Sequence, residues 1–236
     1  MEHFAQHFFS YFELRQANSP DEIDIALRLR YAVYCEELGY EDRHAFSDGR
    51  ERDAYDNQSR HCYLLHKASG RAIGCFRLIL SPDGNSPLPF ENVCANHLED
   101  GPLTPATISR LRYGEISRLA VHSDFRRRIG EQQSPFGIAA DADANVDSRH
   151  YPLVAIGLFL GASALALNIG LERIYVMMEP RLARLLRSCG IVFTQVGEVM
   201  DYHGRRGPFV ITGDALFQSL ASESKELLET LREQLR

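Results

Sequence analysis

The stretch EISRLAV, residues 115–121, places a carboxylate and a guanidinium inside a segment whose apolar, β-favouring residues predict a strand. Glu115 and Arg118 lie three residues apart, so a regular strand would direct their side chains to opposite faces. A β-bulge would bring both side chains to one site. A carboxylate at such a place is a candidate general base, and a bulge around Arg118 to Ala120 can present backbone N–H groups to an oxyanion.

An arginine-rich segment follows this strand. In RRIGEQ, Arg127 and Gly130 match the loop pattern R/Q-x-x-G-x-G/A, whereas Gln132 stands where the last glycine or alanine is expected. Backbone N–H groups of such a loop at a helix N-terminus bind phosphate oxygens, and Arg126 and Arg128 would add positive charge. The strand, loop and helix together resemble the acyl-CoA pocket of the GCN5-related N-acetyltransferases (GNAT). A solvated basic turn is the alternative interpretation.

Charged and aromatic residues elsewhere occur in the order and near-spacing of the acyl-homoserine lactone autoinducer synthases. They are Arg30, Tyr34, Tyr40, Asp53, Asp56, Arg77, Phe90, Glu115 and Arg118. From about Tyr11 to Thr212 the sequence resembles this family, and it resembles more closely still the N-acyl amino acid synthases and the acyltransferases of bacterial PEP-CTERM/exosortase systems. Tyr40 replaces an aromatic residue that is commonly Trp in the family, and the insertion at about residues 131–152 is foreign to the short autoinducer enzymes.

The resemblance implies an α/β (α+β) acyl-CoA N-acyltransferase fold, with a central mixed, mostly antiparallel sheet and helices on both faces. It implies a single domain over residues 1–236, with a C-terminal helix from about residue 214. The activity it implies is transfer of a medium or long fatty acyl group from a thioester to the amine of an amino acid or a related small molecule.

The resemblance also implies roles for particular residues. Glu115 and Arg118 would be catalytic, with Glu115 taking a proton from the amine. The substrate-binding residues would be Arg30, Tyr34, Tyr40, Asp53, Asp56, Arg77 and Phe90; the acyl-donor contacts would be Leu119, Ala120, Val121, Arg126, Arg127, Arg128 and Gly130; and the acyl chain would lie along Leu158, Phe159, Val176 and Met178. Mutual pairing of the charged members around one cleft is cheaper than burying each charge alone. Taken singly, most of these residues are better explained as surface ion pairs or as core.

The expected acyl donor is acyl carrier protein, with coenzyme A as the alternative, and no tightly bound cofactor is expected. Carrier protein is acidic and bears the same phosphopantetheine arm, so the consecutive arginines 126–128 would steer it electrostatically. The departure at Gln132 would weaken the grip on the pyrophosphate of coenzyme A. Three alternatives stay open: an acetyl-CoA-dependent N-acetyltransferase, an acyl-homoserine lactone synthase using S-adenosylmethionine, and a non-catalytic acyl-binding protein of the same fold.

The helices and strands that must position these residues are indicated by local sequence patterns. A capping box and a proline after Ser19 predict a helix that ends at Gly39. The segments 60–67 and 72–80 predict a β-hairpin. Further strands are expected at 11–17, 173–178, 191–196 and 208–212, and helices from Pro180 and from the apolar run that starts near Leu153. That run predicts a helix buried on most sides rather than a membrane span.

Composition narrows the function classes. The chain has 236 residues, of which 44% are hydrophobic, enough for a substantial core. A formal net charge of −6 argues against nonspecific nucleic-acid binding. The 5 cysteines include no CxxC pair, so a reduced, cytoplasmic protein without a zinc site is expected. The segment DADANVD has the first spacings of a calcium loop, but Val146 and Pro152 occupy positions that require Gly and Glu, so no metal is expected.

Overall fold

A computed structural model describes residues 4–125 and 151–236 of the protein. Arg126, Arg127, Arg128, Gly130 and residues 131–150 of the insertion lie outside the described residues. The donor-binding role of the basic segment therefore stays a prediction.

An eight-stranded mixed sheet lies at the centre of the described chain. Its strands are β1 Phe12–Gln16, β2 Ser59–His66, β3 Arg71–Ile79, β4 Tyr113–Val121, β5 Arg173–Met178, β6 Thr194–Gln195, β7 Met200–Asp201 and β8 Arg205–Thr212. They are arranged in the order β1-β2-β3-β4-β5-β8-β6, with β7 paired to β8. β4 and β5 run parallel, and the other strand pairs of the described ranges are antiparallel. Strands β2 and β3 form the predicted hairpin. The prediction of a mixed, mostly antiparallel sheet is confirmed.

Helices cover both faces of this sheet. They are α1 Phe4–Tyr11, α2 Pro20–Arg30, α3 Pro89–Val93, α4 Tyr151–Ile169, α5 Pro180–Ser188, α6 Gly213–Ser219 and α7 Ser222–Gln234. The α4 side holds the main hydrophobic core. The α2 side holds smaller clusters, and it is on this side that the polar residues of β3 and β4 collect.

Helix α2 begins as its sequence predicts. The Ser19 hydroxyl accepts from the backbone N–H of Glu22, and the Glu22 carboxylate accepts from the backbone N–H of Ser19. The α-helix does not continue to Gly39, because Tyr31–Glu37 forms a π-helix that carries Tyr34. Gly39 follows with a φ of 62°, a left-handed conformation that glycine adopts at little cost. Single π-helical turns are frequent at functional sites.

Strand β4 contains the bulge that its charge pattern predicts. The pairing of β4 with β3 shifts by one residue between Ser117 and Ala120, and Arg118 within this segment has a φ of 50°. Ser117 shares the face of Glu115 by the regular alternation, and the extra residue brings Arg118 to that face as well, so that all three line one cavity. Leu119 then returns to the main core. A carboxylate and a guanidinium three residues apart are thereby brought together on one face of a strand.

Helix α4 is buried on most sides, as its sequence predicts. Every residue over 153–166 is buried. Gly157 and Gly161 allow close approach of the N-terminal elements, because an added Cβ would lie 2.1 Å from Phe8 at the first and 2.2 Å from Leu14 at the second. In the described ranges, no helix combines the length and the apolarity needed to cross a membrane.

Two predicted elements differ from the structure. The segment 191–196 contributes only the two-residue strand β6. The single C-terminal helix expected from about residue 214 is two helices, α6 and α7, because the backbone is extended at Leu220 and Ala221. Leu220 is buried in the main core at this break, so core packing overrides the helix pattern there.

Candidate active site

A small cavity of about 130 Å³ opens on the α2 side of the sheet. Its walls come from the π-helix and the loop after it, from β3, α3, β4 and β5, and from the β7–β8 hairpin. The predicted site residues that line it are Tyr34, Tyr40, Asp53, Arg77, Phe90, Glu115 and Arg118. The tertiary structure therefore gathers most of the residues that the resemblance selected.

Unusual backbone conformations are concentrated at this cavity. Arg118 and His203 each have a φ of 50°, and they are the non-glycine residues with positive φ in the described part of the chain. Both line the cavity. A non-glycine residue in this conformation costs roughly 1–2 kcal/mol. It persists where surrounding contacts hold it, and such residues cluster at functional sites.

Glu115 is 4% exposed and lies at the inner wall of the cavity. Its Oε2 accepts a hydrogen bond from the backbone N–H of Phe90 at 2.9 Å. Burial raises the pKa of Glu115 to about 8, although the Phe90 bond and the charges of Arg77 and Arg118 act in the opposite direction. A carboxyl group with such a pKa exchanges its proton near neutral pH, which is what a general base requires.

Two buried arginines of the same region, Arg30 and Arg77, are each paired with carboxylates. Arg30 is 1% exposed, and its nitrogens donate to Glu51 at 2.5 Å and to Asp56 at 2.6 Å. Arg77 makes a bidentate pair with Asp53, at 2.7 Å for each bond, and also donates to Asp56 at 2.6 Å. Each buried charge thus has a hydrogen-bonded partner, the arrangement that makes burial tolerable.

Arg118 connects this network to the cavity. Its Nη2 donates to Glu41 at 3.1 Å and to Asp53 at 3.3 Å, and its Nε donates to Glu51 at 3.2 Å. The guanidinium carbon also lies 5.6 Å from the centroid of the Tyr34 ring. These contacts fix the orientation of the bulge residue.

The acidic partners of the arginines differ electrically from Glu115. Burial alone would raise the pKa of Asp56, but the hydrogen bonds and charges of Arg30 and Arg77 outweigh it and hold that pKa well below its usual range. The same balance lowers the pKa values of Asp53 and Glu51. These three carboxylates therefore stay ionised at neutral pH, whereas the raised pKa of Glu115 suits it to move a proton.

The parallel strands separate next to the buried carboxyl group. The pairing of β4 with β5 ends at Ile116 and Val176, although β4 continues to Val121 and β5 to Met178. Beyond that point, within the described ranges, the bulged edge of β4 has no strand partner on the β5 side. The structure thus has an opening in the sheet beside Glu115.

Comparisons with known proteins agree with this geometry. Residues 29–133 match the family described as the acetyltransferase (GNAT) domain. An acyl-homoserine-lactone synthase of Rhizobium radiobacter is 29% identical over 171 residues, which cover 72% of this chain and 68% of that protein. The N-acyl amino acid synthase FeeM from uncultured soil microbes has 15% identity and a TM-score of 0.56, over 89% of this chain and 94% of that chain. The CoA-dependent acyl-homoserine lactone synthase BjaI has 17% identity and a TM-score of 0.59, over 94% of this chain and 89% of that chain.

The chain has the GNAT acyltransferase fold. Its similarity to acyl-homoserine lactone and N-acyl amino acid synthases, expected from the sequence, is confirmed. The matches support an acyltransferase enzyme.

Within this GNAT fold, two predicted substrate-binding residues lie away from the cavity surface. Arg30 and Asp56 do not line the cavity but lie behind it. The Arg30 guanidinium is directed to Glu51 and Asp56, and Asp56 in turn bonds Arg77. Both residues therefore support the cavity wall, and contact with a substrate stays a prediction for them.

The predicted acyl-chain residues lie on the other side of the sheet. Leu158, Phe159, Val176 and Met178 belong to the main core on the α4 side. Contact with an acyl chain stays a prediction for them, and the opening between β4 and β5 is the route by which a chain would reach them. Leu119 and Val121 also belong to this core, and a donor contact stays a prediction for them.

Several residues of the site were not predicted from the sequence. They are Glu41, Glu51, Tyr202, His203 and Arg206, of which all but Glu51 line the cavity. The predicted cleft residues included three arginines and three acids, so their charge count gave no signal for a further partner such as Glu51. The turn residue Gly204, with a φ of 92°, was a signal for the β7–β8 hairpin that carries the last three.

A larger hollow lies away from this chemistry. It has a volume of about 690 Å³ and is lined by loop residues between Gly84 and Tyr113. It includes the surface pair of Glu91 and Arg110 but neither Glu115 nor the arginine network. The smaller cavity is therefore the candidate active site.

Proposed function

We propose that this protein is an N-acyltransferase that moves a medium or long fatty acyl group from a phosphopantetheine thioester to the amine of an amino acid or a related small molecule. The observation that carries the proposal is the buried Glu115 beside the opening between β4 and β5. The opening is suited to a tethered thioester, and the cavity in front of it is suited to the amine.

Proton transfer is the first step that the geometry supports. At neutral pH the amine arrives mostly as an ammonium ion, so a base must remove a proton before the nitrogen can attack. Phe90 engages Oε2 of Glu115, and we assign Oε1 to the amine, directly or through a water. The nitrogen then attacks the thioester carbonyl carbon. As the carbon–sulfur bond breaks, the departing thiolate takes the proton that Glu115 holds. Glu115 then accepts the second proton from the new amide nitrogen and releases it to solvent.

The bulge supplies the second element of the mechanism. Attack on the carbonyl creates an oxyanion, which needs preorganised donors. Backbone N–H groups around Arg118 to Ala120 lie in the bulged segment, beyond the last pair with β5. The Tyr34 hydroxyl donates to the Leu119 carbonyl oxygen at 2.8 Å and so holds this segment in place. Arg118 adds positive charge at the same point.

The acyl tail would enter the main core through the opening. There the apolar side chains of α4 and β5, Phe159 and Val176 among them, would surround it, and each buried methylene contributes roughly 0.8 kcal/mol. This term favours medium and long chains over acetyl groups. It distinguishes the proposal from an acetyl-CoA-dependent N-acetyltransferase.

Acyl carrier protein is the proposed donor, with coenzyme A as the alternative. The basic residues Arg126 to Arg128 would attract the acidic carrier, and this attraction should weaken as salt is added. Turnover of one acyl group presented on carrier protein and on coenzyme A, measured over a range of salt concentrations, tests the assignment. A cytoplasmic location and a link to PEP-CTERM/exosortase systems remain predictions.

Acyl-homoserine lactone synthesis is the second candidate function. The 29% identical relative from Rhizobium radiobacter is such a synthase, and the likeness extends over 72% of this chain. This candidate needs S-adenosylmethionine as the acceptor. Adding S-adenosylmethionine or free amino acids to the same acyl-donor assay separates the two functions, because a lactone appears only in the first case.

Mass spectrometry of lipid extracts is the most direct test of the proposal. Cells that express the wild-type protein should contain an N-acyl product that is missing from cells expressing Glu115→Gln. The product would identify both the acyl tail and the acceptor. Equal products in both strains would contradict the role of Glu115, and no product with retained acyl-donor binding would indicate a non-catalytic acyl-binding protein.

A further inference from the structure

One guanidinium at the cavity differs from its neighbours. Arg206 lines the cavity, and its Nη2 is shielded from solvent with no hydrogen-bond partner in residues 4–125 and 151–236. The guanidinium groups of Arg77 and Arg118, which line the same cavity, are held by carboxylates. A shielded N–H without an acceptor is costly. Arg206 is therefore the arginine here with a donor free to bind an anion.

The surroundings of Arg206 hold it in place. Its guanidinium carbon lies 5.6 Å from the centroid of the Tyr40 ring, and the His203 ring is 5.6 Å from that same ring. The β7–β8 hairpin carries Arg206 and His203, and its tight turn has positive φ at both His203 and Gly204. An arginine stacked on an aromatic ring is preorganised for planar, bidentate recognition.

We infer that Arg206 binds the carboxylate of a zwitterionic amine acceptor, an inference that rests on the proposed acyltransferase function. The opposite pole of such an acceptor also finds partners at this cavity. Glu41 and Asp53 line it, and both are bonded to Arg118. An ammonium group is attracted to these carboxylates, and Glu115 lies in the same cavity to take its proton.

The alternative anion at this site is a phosphate of the acyl donor. The phosphate of a phosphopantetheine arm is a diester with one negative charge, and at this cavity it would face Glu41 and Asp53 with no ammonium group of its own. Arg118 and Arg77 already pair with these carboxylates, and an ammonium group adds an attractive contact that a phosphate lacks, which favours a zwitterion. The acceptor subsite is accordingly bounded by Arg206 at one end and by the two carboxylates at the other.

The test compares Arg206→Gln with wild type and with Arg205→Gln. Arg205 is an exposed cation on the same hairpin that does not line the cavity, so its variant controls for loss of charge. Acceptors are a pool of common amino acids and the matching pool of their primary amides, which keep the amine but lack the carboxylate. Acyl transfer gives KM and kcat, and calorimetric titration of each pool gives binding without turnover.

Arg206→Gln should raise the KM for amino acids about 10- to 100-fold, as expected for loss of charged hydrogen bonds. The KM for the acyl donor should be unchanged, and amides should bind the wild-type protein and the variant equally well. Arg206→Lys should recover part of the affinity for amino acids. Wild-type protein that binds amides as well as amino acids would overturn the inference. So would a variant with weaker donor binding and unchanged amino-acid binding, which assigns Arg206 to the donor phosphate. If neither the wild-type protein nor any variant transfers an acyl group, the proposed function fails. The calorimetric comparison of amino acids with amides still decides the role of Arg206.

Discussion

The backbone N–H of Phe90 donates to Oε2 of Glu115 at 2.9 Å, across 25 residues of sequence. Phe90 stacks in turn on Tyr175, the residue opposite Glu115 in the parallel pair, with ring centroids 4.5 Å apart. The stacking on Tyr175 holds Phe90 in place, and the hydrogen bond from Phe90 fixes one oxygen of the carboxyl group. A base held in this way needs no reorganisation before proton transfer.

Replacing Glu115 by glutamine should lower kcat by roughly 100- to 10,000-fold, the range for loss of a general base. Glutamine has the same shape and can accept the Phe90 hydrogen bond, so binding of the acyl donor should hold. Steady-state kinetics together with donor titration measure the two effects. Glu172→Gln, at an exposed glutamate beside the start of β5, is the matched control. An unchanged kcat would assign the base elsewhere.

The activity of the wild-type enzyme should rise with pH through about 8, the raised pKa of Glu115. Below this pH the carboxyl group is mostly protonated and cannot accept the proton of the amine. The measurement is kcat/KM at saturating donor from pH 6 to 10. A flat profile across this range would show that the ionisation of Glu115 does not limit the reaction.

Ionisation of Glu115 should lower the stability of the fold as pH rises, whereas it raises the activity. In the unfolded chain Glu115 ionises near its ordinary value of 4.5, whereas in the folded chain it holds its proton up to about 8. Between these pH values the unfolded state binds fewer protons, so this residue makes the free energy of unfolding fall as pH rises. Urea unfolding of wild type and Glu115→Gln from pH 5 to 8.5 should show the variant gaining relative stability. A constant difference would contradict the buried, protonated state.

Arg30→Ala should destabilise the fold by about 3–5 kcal/mol, because Glu51 and Asp56 would remain as buried charges without this partner. Arg28→Ala on the same helix removes an exposed pair with Asp24 and should cost less than about 1 kcal/mol. Urea unfolding curves at neutral pH compare the two. Equal losses of unfolding free energy in the two variants would show that the Arg30 network contributes no more to stability than an exposed ion pair.

Tyr34→Phe should reduce kcat because the Tyr34 hydroxyl holds the Leu119 carbonyl at the bulge. It should also cost about 0.5–1.5 kcal/mol of stability, as is typical of one hydrogen bond. Tyr175→Phe is the control, since the Tyr175 hydroxyl donates to the Leu103 carbonyl at 2.7 Å, in a loop away from the bulge. Similar stability losses with a larger kcat loss for Tyr34→Phe would support the role of the bulge, whereas equal kcat losses would argue against it.

The sequence by itself determined the local elements of this protein. The capping box after Ser19, the β2–β3 hairpin and the buried helix α4 follow from signals within a few neighbouring residues. The bulge in β4 was also predictable, because Glu115 and Arg118 could share a site in no regular strand. Such features depend on backbone conformation and on side-chain periodicity, and both are written into short segments.

Only the tertiary structure decided how the charges are distributed. Arg30 and Arg77 look alike in sequence, yet one lies behind the cavity and the other lines it. Glu51 meets Arg118 across 67 residues, and the β7–β8 hairpin delivers Arg206 to the same cavity. Which partners meet depends on desolvation and on contacts between distant segments, and neither leaves a local pattern in the chain.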